Sequence, residues 1–211
     1  MVPFDSQIMP YDLDDLLNRF SISLRNHSRR VAVCSAIIAE YAGAFICESD
    51  IPSGTSLPEI AHLGGTCHDI GKLMFPAIRS KDNDYLTHPS IGADLLERYL
   101  VDLFGNEPSA QMVLDIVRCH HEQTDGGGFP EGRKSKDVPF VAGICSVANR
   151  LDHNMYKENA LIDIDARIFE MLSLQSGRHY CEYVWFCVER AWPRLMERYA
   201  EWTGFANRNE Y

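Results

Sequence analysis

The sequence predicts an all-α fold: a single-domain helical bundle. Apolar residues recur at helical spacing along the chain, no two segments alternate convincingly as paired β-strands do, and no linker or internal repeat divides it. Its 211 residues are enough to enclose one sizeable core. A content of 45% apolar and 24% charged residues is the balance of a soluble globular protein.

The elements follow in order. Asp12 can cap a first helix carrying Leu13, Leu16, Leu17 and Phe20. A longer helix is expected from about Asn26 to Phe45, with Val31, Cys34, Ile38, Tyr41 and Phe45 as its apolar stripe. The segment CESDIPSGTSLP is rich in turn residues, and its Pro58 can open the next helix, through Ile60, Ala61 and Leu63 into CHDIGK. HPSIGADLLERYLVDLF reads as a helix with Pro89 in its first turn. Ser109 can cap a helix through Met112, Val113, Ile116 and Val117, which delivers His120 and His121. A glycine loop then leads to a helix over about Phe140 to Tyr156. Two closing helices occupy about residues 160–203, the last one aromatic (Tyr183, Trp185, Phe186, Trp192, Tyr199, Trp202), with core packing as its expected role.

Charge and cysteine usage exclude several classes. A net charge of −10 argues against binding nucleic acid polymers or an anionic membrane surface. It still admits a small anion where positive groups or metal ions gather. The seven cysteines (Cys34, Cys47, Cys67, Cys119, Cys145, Cys181, Cys187) form no CxxC pair and mostly sit in apolar stretches, as reduced thiols do. MVPFDSQIMPYD has no basic start followed by an apolar run, and no apolar stretch approaches the roughly 20 residues that cross a bilayer. A cytoplasmic location is the expectation.

Five histidines share a placement. His27 stands one helical step before Val31, Cys34 and Ile38; His68 ends a stripe through Ala61 and Gly64; His88 precedes Ile91 and Leu95; His120, with His121 beside it, extends Val113, Ile116 and Val117. A lone histidine at the end of an apolar stripe is usually a hydrogen-bonded core residue. Five such positions, with Asp69 directly after His68, would be costly to bury without a cation. Imidazole and carboxylate ligands favour iron, manganese or zinc over calcium, and the lack of clustered cysteines argues against a structural zinc site. A polynuclear metal site is the reading these residues support.

The order of motifs carries a resemblance. A histidine in HSRRVA, then HDIGK, then HP..G, then HHE..DGGGFP is similar to the HD-GYP family of the HD-domain metal-dependent phosphohydrolases, over about residues 23–156. Phe129 stands where the GYP tyrosine is usual. The resemblance implies an all-helical bundle that cleaves cyclic di-GMP or a related cyclic dinucleotide with two or three divalent ions, iron or manganese, two being the number expected for this chain. It implies His27, His68, Asp69, His88, His120 and His121 as metal ligands, with Asp69 bridging two ions and acting in catalysis. Lys72 would hold a phosphate oxygen, its bland alternative being a solvated surface lysine. In the loop, Asp125, Gly127, Gly128, Phe129 and Arg133 are the candidate substrate contacts. Glycine lets main chain approach a ligand closely. Arg133, Lys134 and Lys136 either attract a doubly charged dinucleotide or form a solvated cluster, and Asp125 either orients a histidine or the loop, or makes a turn before glycine.

The chain departs from the family pattern at SVANRLDHN. Asn149 stands where the family has an aspartate ligand, so it is expected to be a weak ligand, with Asp152 as a possible substitute one turn on. Gly143 and Ser23 stand where an arginine and, in three-metal members, a glutamate are common. Three functions fit these residues: a cyclic dinucleotide phosphodiesterase, which is preferred; a non-catalytic module that binds metal, nucleotide or a signalling-protein partner; and an HD phosphohydrolase acting on ordinary nucleotides.

Overall fold

A computed structural model describes residues 13–46, 51, 54–75, 83–104, 107–157 and 164–206. Its regular elements are α1 (Leu13–Leu17), α2 (Ile22–Ala39), α3 (Leu57–Cys67), α4 (His88–Phe104), α5 (Glu107–Cys119), α6 (Phe140–Lys157), α7 (Ile164–Ser173) and α8 (Glu182–Ala206). Short 3₁₀ turns lie at Ala42–Ala44, Ile70–Met74, Asn83–Thr87 and Ser135–Asp137. Among the described residues there is no strand, only the isolated bridges Asp125–Lys134 and Ser176–Tyr180. The all-α expectation holds.

Local chemistry sets the helix ends, and several differ from expectation; α1, for one, stops at Leu17, short of Phe20. Helix α2 begins one turn before Asn26 because the Ser21 hydroxyl accepts from the Leu24 N–H at 3.2 Å. It ends at Ala39, not Phe45; the Ala-Gly-Ala run that follows tightens into a 3₁₀ turn, as a weak helix former in its middle favours. Ser109 does not cap α5, which already starts at Glu107 with Pro108 in its first turn, leaving Ser109 buried inside the helix. The proposed cap Asp12 and the thiol of Cys47 lie outside the described residues. At α3 a full capping box operates: the Ser56 side chain accepts from Glu59 N, and the Glu59 carboxylate accepts from Ser56 N at 2.8 Å.

Helix α2 is the central element, packed chiefly on α3 and also on α6 and α8, while α5 packs against α3, α4 and α6. Val31, Cys34 and Ile38 of α2 meet Ile60 of α3, Ile116 and Val117 of α5 and Ile144, Val147 and Leu151 of α6 in one core cluster, all fully buried. Each such aliphatic side chain contributes on the order of 1.5–3 kcal/mol. Burial pushes the Cys34, Cys67 and Cys119 thiols up to about 12, which keeps them protonated and unreactive near neutral pH. No described helix is long and apolar enough to cross a membrane.

Candidate metal centre

The bundle brings helix ends together at one point, where Asp69 follows α3. Its carboxylate is fully buried, and its two oxygens face different imidazoles. Oδ2 lies 3.3 Å from His68 Nε2 and 3.8 Å from His27 Nε2. Oδ1 lies 3.2 Å from His88 Nε2 and 3.8 Å from His120 Nε2, and the latter two nitrogens are 3.4 Å apart. Two ligand groups result: Asp69, His88, His120 and His121 on one side, and His27, His68 and Asp69 on the other. Asp69 alone belongs to both.

The histidine rings are aimed by their second nitrogens. His68 Nδ1 pairs with Gly65 O at 2.8 Å, His120 Nδ1 with Val117 O at 2.9 Å and His88 Nδ1 with Tyr85 O, each carbonyl three residues back. A carbonyl only accepts, so each Nδ1 carries the proton and each Nε2 is left with its lone pair facing Asp69. His27 Nδ1 is bonded instead to Asp152 Oδ2 at 2.7 Å. Burial lowers the pKa of His68, His120 and His121, the last two well below the usual value, which keeps them neutral, the form in which an imidazole can bind a cation. For Asp69, burial alone would raise the pKa; neighbouring His68 and the Lys72 ammonium at 2.6 Å outweigh it and hold the carboxyl well below its usual range.

This donor set fits divalent cations. His27 Nε2, His68 Nε2, Asp69 Oδ1, His121 Nε2 and Asn149 Oδ1 are all buried without a hydrogen-bond partner. Orphaned buried acceptors of this kind cost free energy unless a cation meets them. Neutral imidazoles plus a carboxylate are ligands for iron, manganese or zinc.

The structure brings together His27, His68, Asp69, His88, His120 and His121, the six residues proposed from sequence as full ligands, and sets Lys72 on Asp69. Phe129 stacks on His121, ring centres 4.4 Å apart, and Tyr85 packs against His88, His121 and Phe129. Other residues proposed from sequence serve the loop. Asp125 accepts from Gly127 N at 2.8 Å and from Arg178 Nε at 2.9 Å, so it forms a turn and ties the loop to the α7–α8 connection. Arg133 Nε pairs with Glu131 at 2.9 Å. At Gly128, a Cβ would lie 2.4–2.5 Å from main-chain atoms of Gln123, Glu122 and His121, so this glycine permits close packing under the histidine pair.

Asp152 differs from the expectation of a substitute ligand. Its Oδ1 accepts from Arg30 Nε at 2.6 Å and Tyr199 Oη at 3.0 Å, and its Oδ2 from Arg30 Nη2 at 3.0 Å and His27 Nδ1. With two bonds on each oxygen, the carboxylate is fully engaged behind His27. Asn149, 4% exposed, keeps an unpaired oxygen one turn earlier on α6.

Besides Tyr85 and Arg30, three residues that sequence reasoning passed over stand out. Glu122, 1% exposed, accepts from the main-chain N–H groups of Glu131 and Arg133 at 2.7 and 2.9 Å and so clamps the glycine loop. A glutamate directly after the paired histidines was its available signal. His153 lies with its ring 4.6 Å from that of His27, in a groove of about 370 Å³ with Lys72, Asp69, Arg30 and Tyr156. A second groove, of about 490 Å³, adjoins it at Ser21, Leu24 and Lys72 and is walled by Leu73, Phe75 and Tyr85. Tyr199 is the third, and nothing local in the sequence marks it.

Comparison with known proteins is consistent with this geometry. The HD domain family model matches residues 24–154. The chain is 29% identical over 155 residues to a cyclic di-GMP phosphodiesterase of Thermotoga maritima, covering 67% of this chain and 38% of that protein. It is 26% identical over 188 residues to a 3′3′-cGAMP-specific phosphodiesterase of Vibrio cholerae, covering 83% of this chain and 33% of that protein. Its fold is similar to that of an HDG"Y"P protein from Bdellovibrio bacteriovorus, with a TM-score of 0.55 at 20% identity, over 82% of this chain and 52% of the other. The chain therefore spans well under half the length of these two curated relatives.

Proposed function

Because this chain belongs to the HD domain family, we propose that it is a metal-dependent phosphodiesterase that hydrolyses cyclic di-GMP or a related cyclic dinucleotide. The observation that carries the reading is Asp69, whose two oxygens face two separate groups of imidazoles. A carboxylate can hold one cation on each oxygen, whereas an imidazole serves one. We assign His27, His68 and Asp69 to one divalent ion and Asp69, His88, His120 and His121 to the other, with Asn149 as a weak additional donor. Iron or manganese is the proposed metal.

When bound, the two cations supply Lewis acidity toward a phosphoryl oxygen and toward an attacking water. The chain's own groups do the rest. The Nδ1 bonds of His68, His88 and His120 fix ring orientation before substrate arrives, so no reorganisation is needed during reaction. Lys72 Nζ, at the junction of the two grooves, is placed to meet a phosphate oxygen as a point charge. Phe129 on His121 and Tyr85 on His88 form an apolar wall that limits water around those rings. The grooves on either side of Lys72 leave room for the two nucleoside halves of a dinucleotide. The relatives named above act on cyclic di-GMP and 3′3′-cGAMP, which supports the substrate class.

One observation favours a second reading. Asn149 is neutral where the resemblance expects a carboxylate, which suits a domain that binds metal and nucleotide without turnover. The test is incubation of protein purified without oxygen, reconstituted with iron or manganese, with cyclic di-GMP and with 3′3′-cGAMP. Turnover of either supports the enzyme. Bound ions with no turnover of either leave the non-catalytic module and the HD phosphohydrolase acting on ordinary nucleotides.

A further inference from the structure

Helix α8 contributes none of the candidate ligands, and it lies beyond the segment matched by the family model. One of its side chains nevertheless reaches the back of the site. Tyr199, 1% exposed, donates its hydroxyl to Asp152 Oδ1 at 3.0 Å. Asp152, on α6, accepts through Oδ2 from His27 Nδ1 on α2 at 2.7 Å. Arg30, also on α2, bonds both oxygens at 2.6 and 3.0 Å. Three helices are thus joined through one buried carboxylate.

His27 differs from His68, His88 and His120 in what aims it. His68, His88 and His120 take their Nδ1 partner from a main-chain carbonyl three residues back, so local backbone sets each ring. His27 depends on a side chain 125 residues away. A carboxylate rotates freely about its last torsion unless its bonds fix it. The Arg30 fork holds both oxygens from α2; the Tyr199 hydroxyl adds the bond that comes from outside α2, so it ties Oδ1 to α8 and, through the shared plane, bears on where Oδ2 meets His27.

We propose that Tyr199 is a positioning residue for the metal centre: through Asp152 it sets the aim of His27 and couples the seat of α8 to the ion held by His27, His68 and Asp69. The inference rests on the metal-centre assignment above, and its test reads metal binding rather than turnover. Metal-free protein is titrated with Mn²⁺, and the affinities of both ions are measured for wild type, Tyr199→Phe, Asp152→Asn and the double variant. Melting curves are recorded alongside. Tyr199→Phe keeps the ring in the core and removes only the hydroxyl. It is expected to weaken one of the two ions about tenfold, toward the low end of the range for outer partners of metal ligands. Asp152→Asn is expected to weaken the same ion at least as much, and Tyr199→Phe to add less than twofold on that background. Leu195→Ala, one turn earlier on α8 and fully buried, removes packing without touching the hydrogen bonds and is expected to lower Tm with both affinities intact.

Unchanged affinities in Tyr199→Phe would overturn the coupling, as would additive losses in the double variant or an equal loss in Leu195→Ala. Should Tyr199→Phe fail to fold, Asp152→Asn decides: a folded variant with both affinities intact overturns it. Wild-type protein that binds no ion would overturn the metal-centre assignment itself, and the coupling with it.

Discussion

Among single residues, Asn149 is where this chain parts most from the resemblance. Its oxygen is buried and unpaired, a place where a charged oxygen would gain most from a cation. Asn149→Asp is expected to tighten the affinity of one Mn²⁺ at least tenfold in titrations of metal-free protein. An unchanged affinity would place position 149 away from the metal. The residue scale also shows what the sequence hides. The histidines were legible because each stands at one end of an apolar stripe, and Asp69 because it directly follows His68. Asp152 was legible as a carboxylate but not as His27's partner, since that contact spans 125 residues. Tyr199 read as one more core aromatic among six, because only the folded chain reveals where its hydroxyl goes.

At the scale of elements, the site depends on two close approaches of main chain. The 3₁₀ turn Ile70–Met74 lies so near α4 that a Cβ at Gly71 would fall 2.0 Å from His88 O and 2.8 Å from Gly92 N. Backbone cannot yield as a flexible side chain can. Gly71→Ala is therefore expected to push the turn and α4 apart, costing about 1–3 kcal/mol and moving His88 from Asp69. Thermal melts and Mn²⁺ titration check it, and a variant with unchanged Tm and affinity would contradict the account. The second approach is the glycine loop under the histidine pair, held by Glu122. Glu122→Ala removes the acceptor for two main-chain N–H groups and is expected to loosen residues 125–133. Faster amide hydrogen exchange in that loop is the readout, and an unchanged exchange rate would mean that other contacts hold it. Helix positions were readable from apolar spacing, but their ends only in part: α4 and α6 lie where expected, whereas α2 and the start of α5 do not. The cap at Ser21 is one hydrogen bond and that at Ser56 a reciprocal pair, and a serine has no periodic pattern to announce it.

For the molecule as a whole, the buried titratable groups set how stability responds to pH. In metal-free protein, burial lowers the pKa of His68, His120 and His121, and pushes that of His153 down to about 4. In the unfolded chain these imidazoles protonate near pH ~6.5. Between that value and their lower folded values, the unfolded state binds more protons, so stability falls as pH falls. Asp69 and Asp152 act in the same direction at lower pH. Their folded values are depressed, so their contribution is complete above ~3.9 and is lost as pH drops through the folded values. The metal-free Tm is therefore expected to decline from pH 7 to pH 5, before the carboxylates titrate. A Tm that is flat or rising over that interval would contradict the buried, neutral state of the histidines. The all-α architecture was legible throughout because periodicity is a property of whole helices. That the histidines meet at Asp69 was expected from the resemblance rather than from spacing, because it depends on how the helices pack.

The central claim is that one carboxylate, Asp69, joins two metal sites, and stoichiometry tests it most directly. Metal-free wild type and Asp69→Ala are titrated with Mn²⁺ in parallel, with circular dichroism confirming that both are folded. The account predicts two ions per wild-type chain and a weakening of both sites together in the variant. One ion or none in the wild type, or a variant that loses one site while the other keeps its full affinity, would contradict it.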